Sequence, residues 1–329
     1  MKKIINQVSE IVPEMVQGIV QASNGLLRQL PDTQVVIRND EQFQTKIQVG
    51  LVSGGGSGHE PLHAGFVGEG MLTAAVCGEI FTSPTPDQIL AAIKEADQGQ
   101  GVLLIVKNYS GDVMNFDMAK EMAQADNIKV ESIIVDDDIS IPDSQQGRRG
   151  VAGTVLVEKI LGAAARQGCT LEQLQQLGQQ VIDNTKTLGI ALQAATVPAV
   201  GHPGFELAND EIEYGVGIHN ERGYSTEKLQ SAQKLAQELL TKILAEFDAN
   251  KNDEFAVLVN GMGATPLMEQ YIFLNNVLEE LQKQGIKVTF TKVGNLVTSI
   301  DMSGLSLTLV KLDNGWQDYL TQNVTTLGW

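Results

Sequence analysis

Leu51–Pro61 reads Leu-Val-Ser-Gly-Gly-Gly-Ser-Gly-His-Glu-Pro, a short apolar run that ends in a glycine-rich turn. Because glycine has no Cβ, the backbone can turn sharply there and bring its N–H groups close to a small ligand. The imidazole of His59 closes the turn and can exchange a proton near neutral pH. The stretch therefore predicts either a ligand cradle or a plain connection between a strand and a helix. It has neither the Lys-Ser/Thr ending of a P-loop nor the spacing of a dinucleotide-binding turn, so it does not indicate a nucleotide site.

Strand-like and helix-like segments alternate along the chain around this stretch. Short apolar or β-branched runs predict strands over residues 33–38, 47–52, 74–78, 101–107, 130–135, 212–218, 255–260, 286–292 and 306–312. Apolar residues at helical spacing predict helices over residues 7–29, 85–97, 155–167, 171–185, 225–246 and 266–284. This alternation predicts an α/β protein whose mainly parallel or mixed sheets are covered by helices.

The length of 329 residues is too great for one ordinary hydrophobic core, so we expect two α/β domains. The residue pattern changes near Gly189. We therefore predict one domain over residues 1–185, which carry the glycine turn, and a second over residues 186–329. Each domain should place its ligand-binding loops at the carboxyl ends of its strands.

Composition excludes several classes of function. A net charge of −17 argues against direct binding to nucleic acid, which requires clustered Lys and Arg. No apolar run approaches the length of about 20 residues needed to cross a bilayer, and the N-terminus lacks the apolar region of a signal peptide. The two cysteines, Cys77 and Cys169, suit reduced thiols better than a disulfide. We therefore expect a cytoplasmic protein with no membrane partner.

A second candidate loop, Lys107–Asp112, follows the predicted strand 101–107. It should lie at the same edge of the sheet as the glycine turn, because parallel strands end at a common edge. Asp112 could bind ligand hydroxyls or transfer a proton, and Lys107 could orient a carbonyl. The alternative is a turn in which the aspartate only caps the backbone.

A third candidate is His219, at the end of the predicted strand 212–218. A neutral imidazole can add to a ketone and form a reversible hemiaminal, whereas an exposed histidine in a loop is more often only solvated. His63 and His202 carry less information, and four histidines with two cysteines provide no convincing zinc set. The three adjacent aspartates from Asp136 favour a solvated loop over a metal site, because adjacent side chains diverge.

Five stretches have a distinctive order of residues: Val52–Pro61, Phe81–Gln88, Val106–Phe116, Arg148–Thr154 and Gly217–His219. Together they closely resemble the dihydroxyacetone-binding K subunit of dihydroxyacetone kinases, the DhaK family. The resemblance covers nearly the whole chain. It implies that dihydroxyacetone is bound covalently on His219 as a hemiaminal.

The same resemblance implies roles for the other candidates. His59 and Asp112 would join His219 in the chemistry, and the ketone's hydroxyls would be held by a larger set: Gly56, Ser57, Gly58, His59, Lys107 and Asp112. It further implies a homodimer that binds no nucleotide itself, and we expect no cofactor or metal. In such kinases a separate L subunit carries the nucleotide and is recharged by a phosphotransferase-system protein.

Two departures from the family pattern lie beside His219. Asn220 stands where the kinase subunits usually have Gly, and Arg222 stands where they usually have Pro. These changes add a side chain and a cation and remove a fixed φ, which should disturb the docking of a nucleotide-bearing subunit. Glu158 also stands where histidine is common.

The departures resemble the regulatory paralogue of the family, DhaQ. The resulting expectation is a coactivator that binds dihydroxyacetone, reports it to a TetR-type transcription factor and is not an enzyme by itself. The alternative is an ordinary kinase K subunit that works with an L subunit.

Overall fold

The computed structural model describes residues 2–141, 147–247, 253–313 and 315–329. The described chain forms two compact units. The first contains Lys2–Val135, Val155–Gln180 and Gln322–Trp329, and the second contains Asp136–Thr154 and Val181–Thr321. The chain thus passes between the units at four points. This division differs from the single predicted boundary between residues 185 and 186. Residues 136–154 fold with the second unit, although residues 155–180 return to the first, and residues 322–329 fold with the first unit.

The sheet of the first unit has six strands. They are β1 (Leu27–Gln29), β2 (Val35–Arg38), β3 (Gly50–Ser57), β4 (Ala74–Ile80), β5 (Val102–Lys107) and β6 (Val130–Val135). Their order is β1-β2-β4-β3-β5-β6. Strands β4, β3, β5 and β6 are parallel, β2 pairs antiparallel with β4, and β1 pairs antiparallel with β2. The glycine-rich β3 is therefore a central strand of this sheet.

Helices accompany this sheet, and the last two extend slightly into the second unit. They are α1 (Ile11–Ala22), α2 (Glu41–Thr45), α3 (Pro86–Ala96), α4 (Ser110–Ala125), α5 (Thr154–Arg166) and α6 (Leu171–Asp183). The sequence pattern did not predict α2 or α4. The buried face of α4 consists of Phe116 with two alanines and Asp112, so its hydrophobic periodicity is weak.

The second unit also has a mixed sheet of six strands. They are β7 (Thr185–Gln193), β8 (Glu211–Tyr214), β9 (Ser225–Lys228), β10 (Glu254–Gly261), β11 (Lys287–Gly294) and β12 (Ser303–Leu312). Their order is β11-β10-β12-β7-β8-β9; β10 and β11 pair in parallel, and the other described neighbours pair antiparallel. The helices of this unit are α7 (Ala232–Leu244), α8 (Leu267–Lys283) and α9 (Trp316–Thr321). The predicted α/β class with mixed sheets is confirmed.

Several predicted bounds were wrong, for local reasons. The helix expected over 225–246 starts only after Ser231, whose hydroxyl caps it, because Ser225–Lys228 pair with β8 as an edge strand. The strand expected over 212–218 ends at Tyr214. The helix expected to reach residue 29 ends at Ala22, and the following residues lead into β1.

Candidate functional site

The glycines expected in a turn lie inside β3, where two of them permit close backbone packing. A Cβ at Gly54 would lie 2.6 Å from the Val76 carbonyl oxygen on the neighbouring strand. At Gly55 a Cβ would lie 2.4 Å from Nζ of Lys107. Glycine is therefore needed here for space, which lets a lysine side chain lie against the strand backbone.

The turn itself follows β3, and its histidine is buried. The backbone N–H of Gly58 donates to the carboxylate of Glu60 at 3.0 Å. His59 stacks on the ring of Phe81, with 5.1 Å between ring centroids. Burial raises the pKa of Glu60, although the N–H of Gly58 opposes that shift. The turn is thus an ordered, desolvated surface rather than a flexible connection.

Lys107 is the last residue of β5 and is fully buried. Its Nζ donates to the carbonyl oxygen of Gly54 at 3.1 Å and lies 3.6 Å from Oδ2 of Asp112. Asp112 lies in the first turn of α4 and accepts a hydrogen bond from the hydroxyl of Ser83. The structure therefore brings together the lysine and the aspartate that the sequence singled out, with the aspartate on a helix rather than in a turn.

Two further titratable groups, His63 and Glu158, complete this buried cluster. Nε2 of His63 lies 2.7 Å from Nζ of Lys107, and Nδ1 lies 2.6 Å from Oε1 of Glu158. Burial and the charge of Lys107 lower the pKa of His63 well below its usual value. Burial raises the pKa of Glu158 well above its usual value, against the charge of Lys107 and the nearby hydroxyl of Ser53.

Sequence reasoning missed this part of the cluster. His63 was judged less informative than His59 and His219; it directly precedes a single 3-10 turn over Ala64–Phe66. Its four-residue spacing from His59 after the glycine-rich strand was the available signal. Glu158 lies on α5, and no local pattern indicates that α5 reaches this cluster.

His219 lies in the second unit, in the loop after β8, and its side chain is 17% exposed. Its backbone N–H donates to Oε2 of Glu221 at 2.8 Å, and its Nδ1 lies 3.6 Å from Oε1 of the same carboxylate. Burial acts to raise the pKa of Glu221, but the hydrogen bond and charge of His219 together with Arg149 hold it below its usual value. The carboxylate is therefore ionised beside the imidazole at neutral pH.

Arg149 ties this loop to the rest of the second unit. Its guanidinium donates to Asp138 at 2.8 Å and to the carbonyl oxygen of Gly215 at 2.9 Å. A Cβ at Gly217 would lie 2.2 Å from Oε2 of Glu221 and 2.6 Å from the guanidinium. Glycine at this position lets the carboxylate and the guanidinium approach the backbone that carries His219.

The two unusual residues of this loop make contacts within their own unit. Asn220 has a left-handed φ of 67°, and its side chain accepts from the N–H of Ala195 at 2.9 Å and donates to its carbonyl oxygen at 3.0 Å. The guanidinium of Arg222 lies 5.7 Å from the ring centroid of Phe205. The Asn220 side chain therefore bonds within its own unit, whereas the Arg222 side chain is exposed.

The acidic loop after β6 is structural in its described part, residues 136–141 and 147–150; residues 142–146 lie outside the described residues. Asp137 and Asp138 are buried, contrary to the solvated loop expected from the sequence. Asp137 accepts from the N–H groups of Val151 and Gly153, both at 2.8 Å, and from the hydroxyl of Thr187. Among described residues, no group of three or more His, Cys, Asp or Glu side chains could hold a metal ion.

The candidate residues fall into two sets. Six lie in the first unit: Gly56, Ser57, Gly58, His59, Lys107 and Asp112. His219 lies in the second unit. No helix within the described part of the chain is long and apolar enough to cross a membrane.

The amino-acid sequence matches a known protein family. The model of the Dak1 domain matches residues 17–328. A curated protein of Lactococcus lactis, the dihydroxyacetone-binding subunit DhaK of a PTS-dependent dihydroxyacetone kinase, is 57% identical and aligns over 100% of this chain and 99% of its own length. The corresponding subunit of kinase 1 of Listeria innocua is also 57% identical, over the full length of both chains.

The chain belongs to the DhaK family. The operon coactivator DhaQ of Lactococcus lactis is 42% identical over 99% of this chain and all of its own length. A solved structure of a dihydroxyacetone kinase operon co-activator superposes with a TM-score of 0.91 at 41% identity, covering 98% of this chain and 99% of that one. The coactivator branch expected from the altered loop is thus less similar in sequence than the kinase subunits named above.

Proposed function

We propose that the chain is the dihydroxyacetone-binding subunit of a phosphotransferase-system-dependent dihydroxyacetone kinase. The observation that supports this most is the 57% identity, over full length, to two subunits of that name. In the proposal the chain binds no nucleotide itself. A separate L subunit brings the nucleotide, and two copies of the chain form a homodimer.

His219 captures the ketone in this proposal. The Nδ1 side of the ring faces Glu221, so the proton stays on Nδ1 and Nε2 keeps the lone pair for attack. A bond forms from Nε2 to the carbonyl carbon, the C=O π bond breaks, and its oxygen takes up a proton from water. The positive charge left on the ring is balanced by the ionised Glu221. Short hydroxyketones should therefore bind, and glycerol, which has no carbonyl, should not form the adduct.

The first unit supplies the groups that hold hydroxyls and move a proton. Asp112 takes the proton from the hydroxyl that attacks the phosphoryl group, as a general base does in phosphoryl transfer, and His59 is a second group that can exchange a proton there. Lys107 orients the ketone oxygens, and Gly56, Ser57 and Gly58 form the surrounding backbone. The burial of Lys107 and Asp112 supports these roles, because charge interactions are stronger in a desolvated site.

The test combines binding with turnover. Intact-mass measurement with dihydroxyacetone should show an adduct on the wild-type protein and none on His219→Ala. Mixed with an L subunit and a phosphoryl source, the wild type should phosphorylate the ketone at a rate comparable to a known K subunit. An adduct on His219→Ala would refute the covalent role.

A second candidate is the coactivator. The superposition on a co-activator structure with a TM-score of 0.91 supports it. It predicts normal formation of the adduct with no turnover, together with ketone-dependent binding to a TetR-type transcription factor. Turnover equal to that of the control would exclude it as the main activity.

A further inference from the structure

Glu158 and His63 form a buried contact chain with Lys107, and the function proposed above gives these two residues no role. Its three members come from separate parts of the first unit: α5, the turn after β3, and the end of β5. All three side chains are buried. Burying three titratable groups is costly unless each finds a partner, so their arrangement needs an explanation.

The distances fix where the protons lie. Lys107 is an ammonium with donors only, so at 2.7 Å Nε2 of His63 must accept. A neutral ring with an accepting Nε2 carries its proton on Nδ1, which then donates to Oε1 of Glu158 at 2.6 Å. The lowered pKa of His63 agrees with a neutral ring.

This tautomer determines the direction of the lysine's three N–H bonds. One is directed to Nε2 of His63 and one to the carbonyl oxygen of Gly54. The third remains for the side on which Asp112 lies, at 3.6 Å. If the ring carried its proton on Nε2 instead, that N–H would oppose the ammonium and displace it.

We infer that His63 and Glu158 are positioning residues that hold the Lys107 ammonium toward Asp112 for binding of the ketone. Glu158 acts only through His63, as an acceptor that selects the tautomer. This inference rests on the proposed function, because it assigns a role in that site. The charged and titratable groups around the imidazole of His63 are Lys107, Glu158 and His59.

The decisive variants change the acceptor at one position. Glu158→Gln keeps an acceptor oxygen at this position, and Glu158→His offers a ring nitrogen that can accept. Both should bind and turn over the ketone comparably to wild type. Glu158→Leu fills the space without an acceptor, and should weaken ketone binding by about tenfold or more, seen in KM and in the dissociation constant of the adduct with little change in kcat.

Two controls separate this effect from damage to the fold. Glu172→Leu, at an exposed position of α6, should leave binding unchanged. His63→Leu should weaken binding as Glu158→Leu does, and the double variant should be no worse than either single variant, because both changes break one contact chain. A purely structural role would instead lower the melting temperature and kcat together and leave KM unchanged.

A direct readout comes from nitrogen NMR of the four histidines. His63 should show a proton on Nδ1 in the wild type and in Glu158→Gln, and a mixture of tautomers in Glu158→Leu. Wild-type-like KM and tautomer in Glu158→Leu would overturn the inference. If the wild type itself formed no ketone adduct, the proposed function would fail, and the tautomer measurement would still decide whether the contact chain exists.

Discussion

Asp137 is a buried carboxylate that accepts three hydrogen bonds within the second unit. Burial raises its pKa from an ordinary 3.8 to about 6, although Thr187 and the N–H groups of Val151 and Gly153 act in the opposite direction. Desolvation therefore outweighs the hydrogen bonds. The nearby charge of Asp138 raises the pKa further.

This shift predicts a pH dependence of stability with a defined sign. Between pH 3.8 and about 6 the folded protein binds more protons at Asp137 than the unfolded chain does, so its contribution to stability falls as pH rises through that window. The free energy of unfolding of wild type minus that of Asp137→Asn should fall by about 3 kcal/mol between pH 3.5 and 7, at about 1.4 kcal/mol per pKa unit. Urea unfolding at several pH values measures it. A difference that rises with pH would contradict this prediction.

Asn220 shows why a residue cannot be judged from its identity alone. Relative to the glycine usual in kinase subunits, its side chain was expected to project toward a partner, yet it bonds to both backbone groups of Ala195. Asparagine also tolerates the left-handed φ that it adopts better than most residues with a Cβ. The substitution is therefore compatible with a kinase subunit.

At the scale of elements, α5 approaches the turn after β3 very closely. A Cβ on Gly162 would lie 2.4 Å from the carbonyl oxygen of Gly70 and 2.4 Å from Cα of Met71. The absence of a side chain at this position lets α5 bring Glu158, one helical turn earlier, to His63. A shift of α5 would therefore move Glu158 away from His63.

Gly162→Ala should therefore destabilise the protein by about 1–3 kcal/mol or more, despite the higher helix propensity of alanine. The matched control is Gly18→Ala in α1, where a Cβ would meet nothing within 4 Å. That change should stabilise by about 0.5–1 kcal/mol. Chemical unfolding of both variants measures the effects, and a stabilising Gly162→Ala would show that α5 can move outward at little cost.

At the scale of the whole molecule, the last eight residues fold with the first unit, although α9 before them belongs to the second. Backbone bonds join Thr325 to Glu69 at 3.0 Å and Gly328 to Gly65 at 2.8 Å. The guanidinium of Arg166 donates to Gln322 at 2.6 Å. The tail thus packs against the segment Gly65–Glu69, which follows His63 in the connection between β3 and β4.

Removing residues 322–329 should loosen the first unit. We expect faster amide hydrogen exchange in β3 and β4 and a lower melting temperature, by about 2–4 °C for each kcal/mol lost. Deletion of residues 2–5 at the other end is the control and should change exchange in these strands little. Unchanged protection in β3 and β4 after the tail is removed would mean that the tail contributes no stability there.

The sequence by itself determined the family, the α/β class, most strands and helices, and the candidate residues His59, Lys107, Asp112 and His219. These follow from local signals, such as hydrophobic periodicity, glycine runs and short motifs, which need no knowledge of distant contacts. The helix α4 was missed because its buried face carries mostly small or polar side chains.

Only the tertiary structure decided the division into units and the contact between Glu158, His63 and Lys107. His63 is 44 residues from Lys107 and 95 from Glu158 along the chain. Their approach depends on strand order and on the glycines that leave space at β3 and α5, and the resulting burial shifts the pKa values of His63 and Glu158. Those conditions arise from packing between distant segments, which no local pattern of residues records.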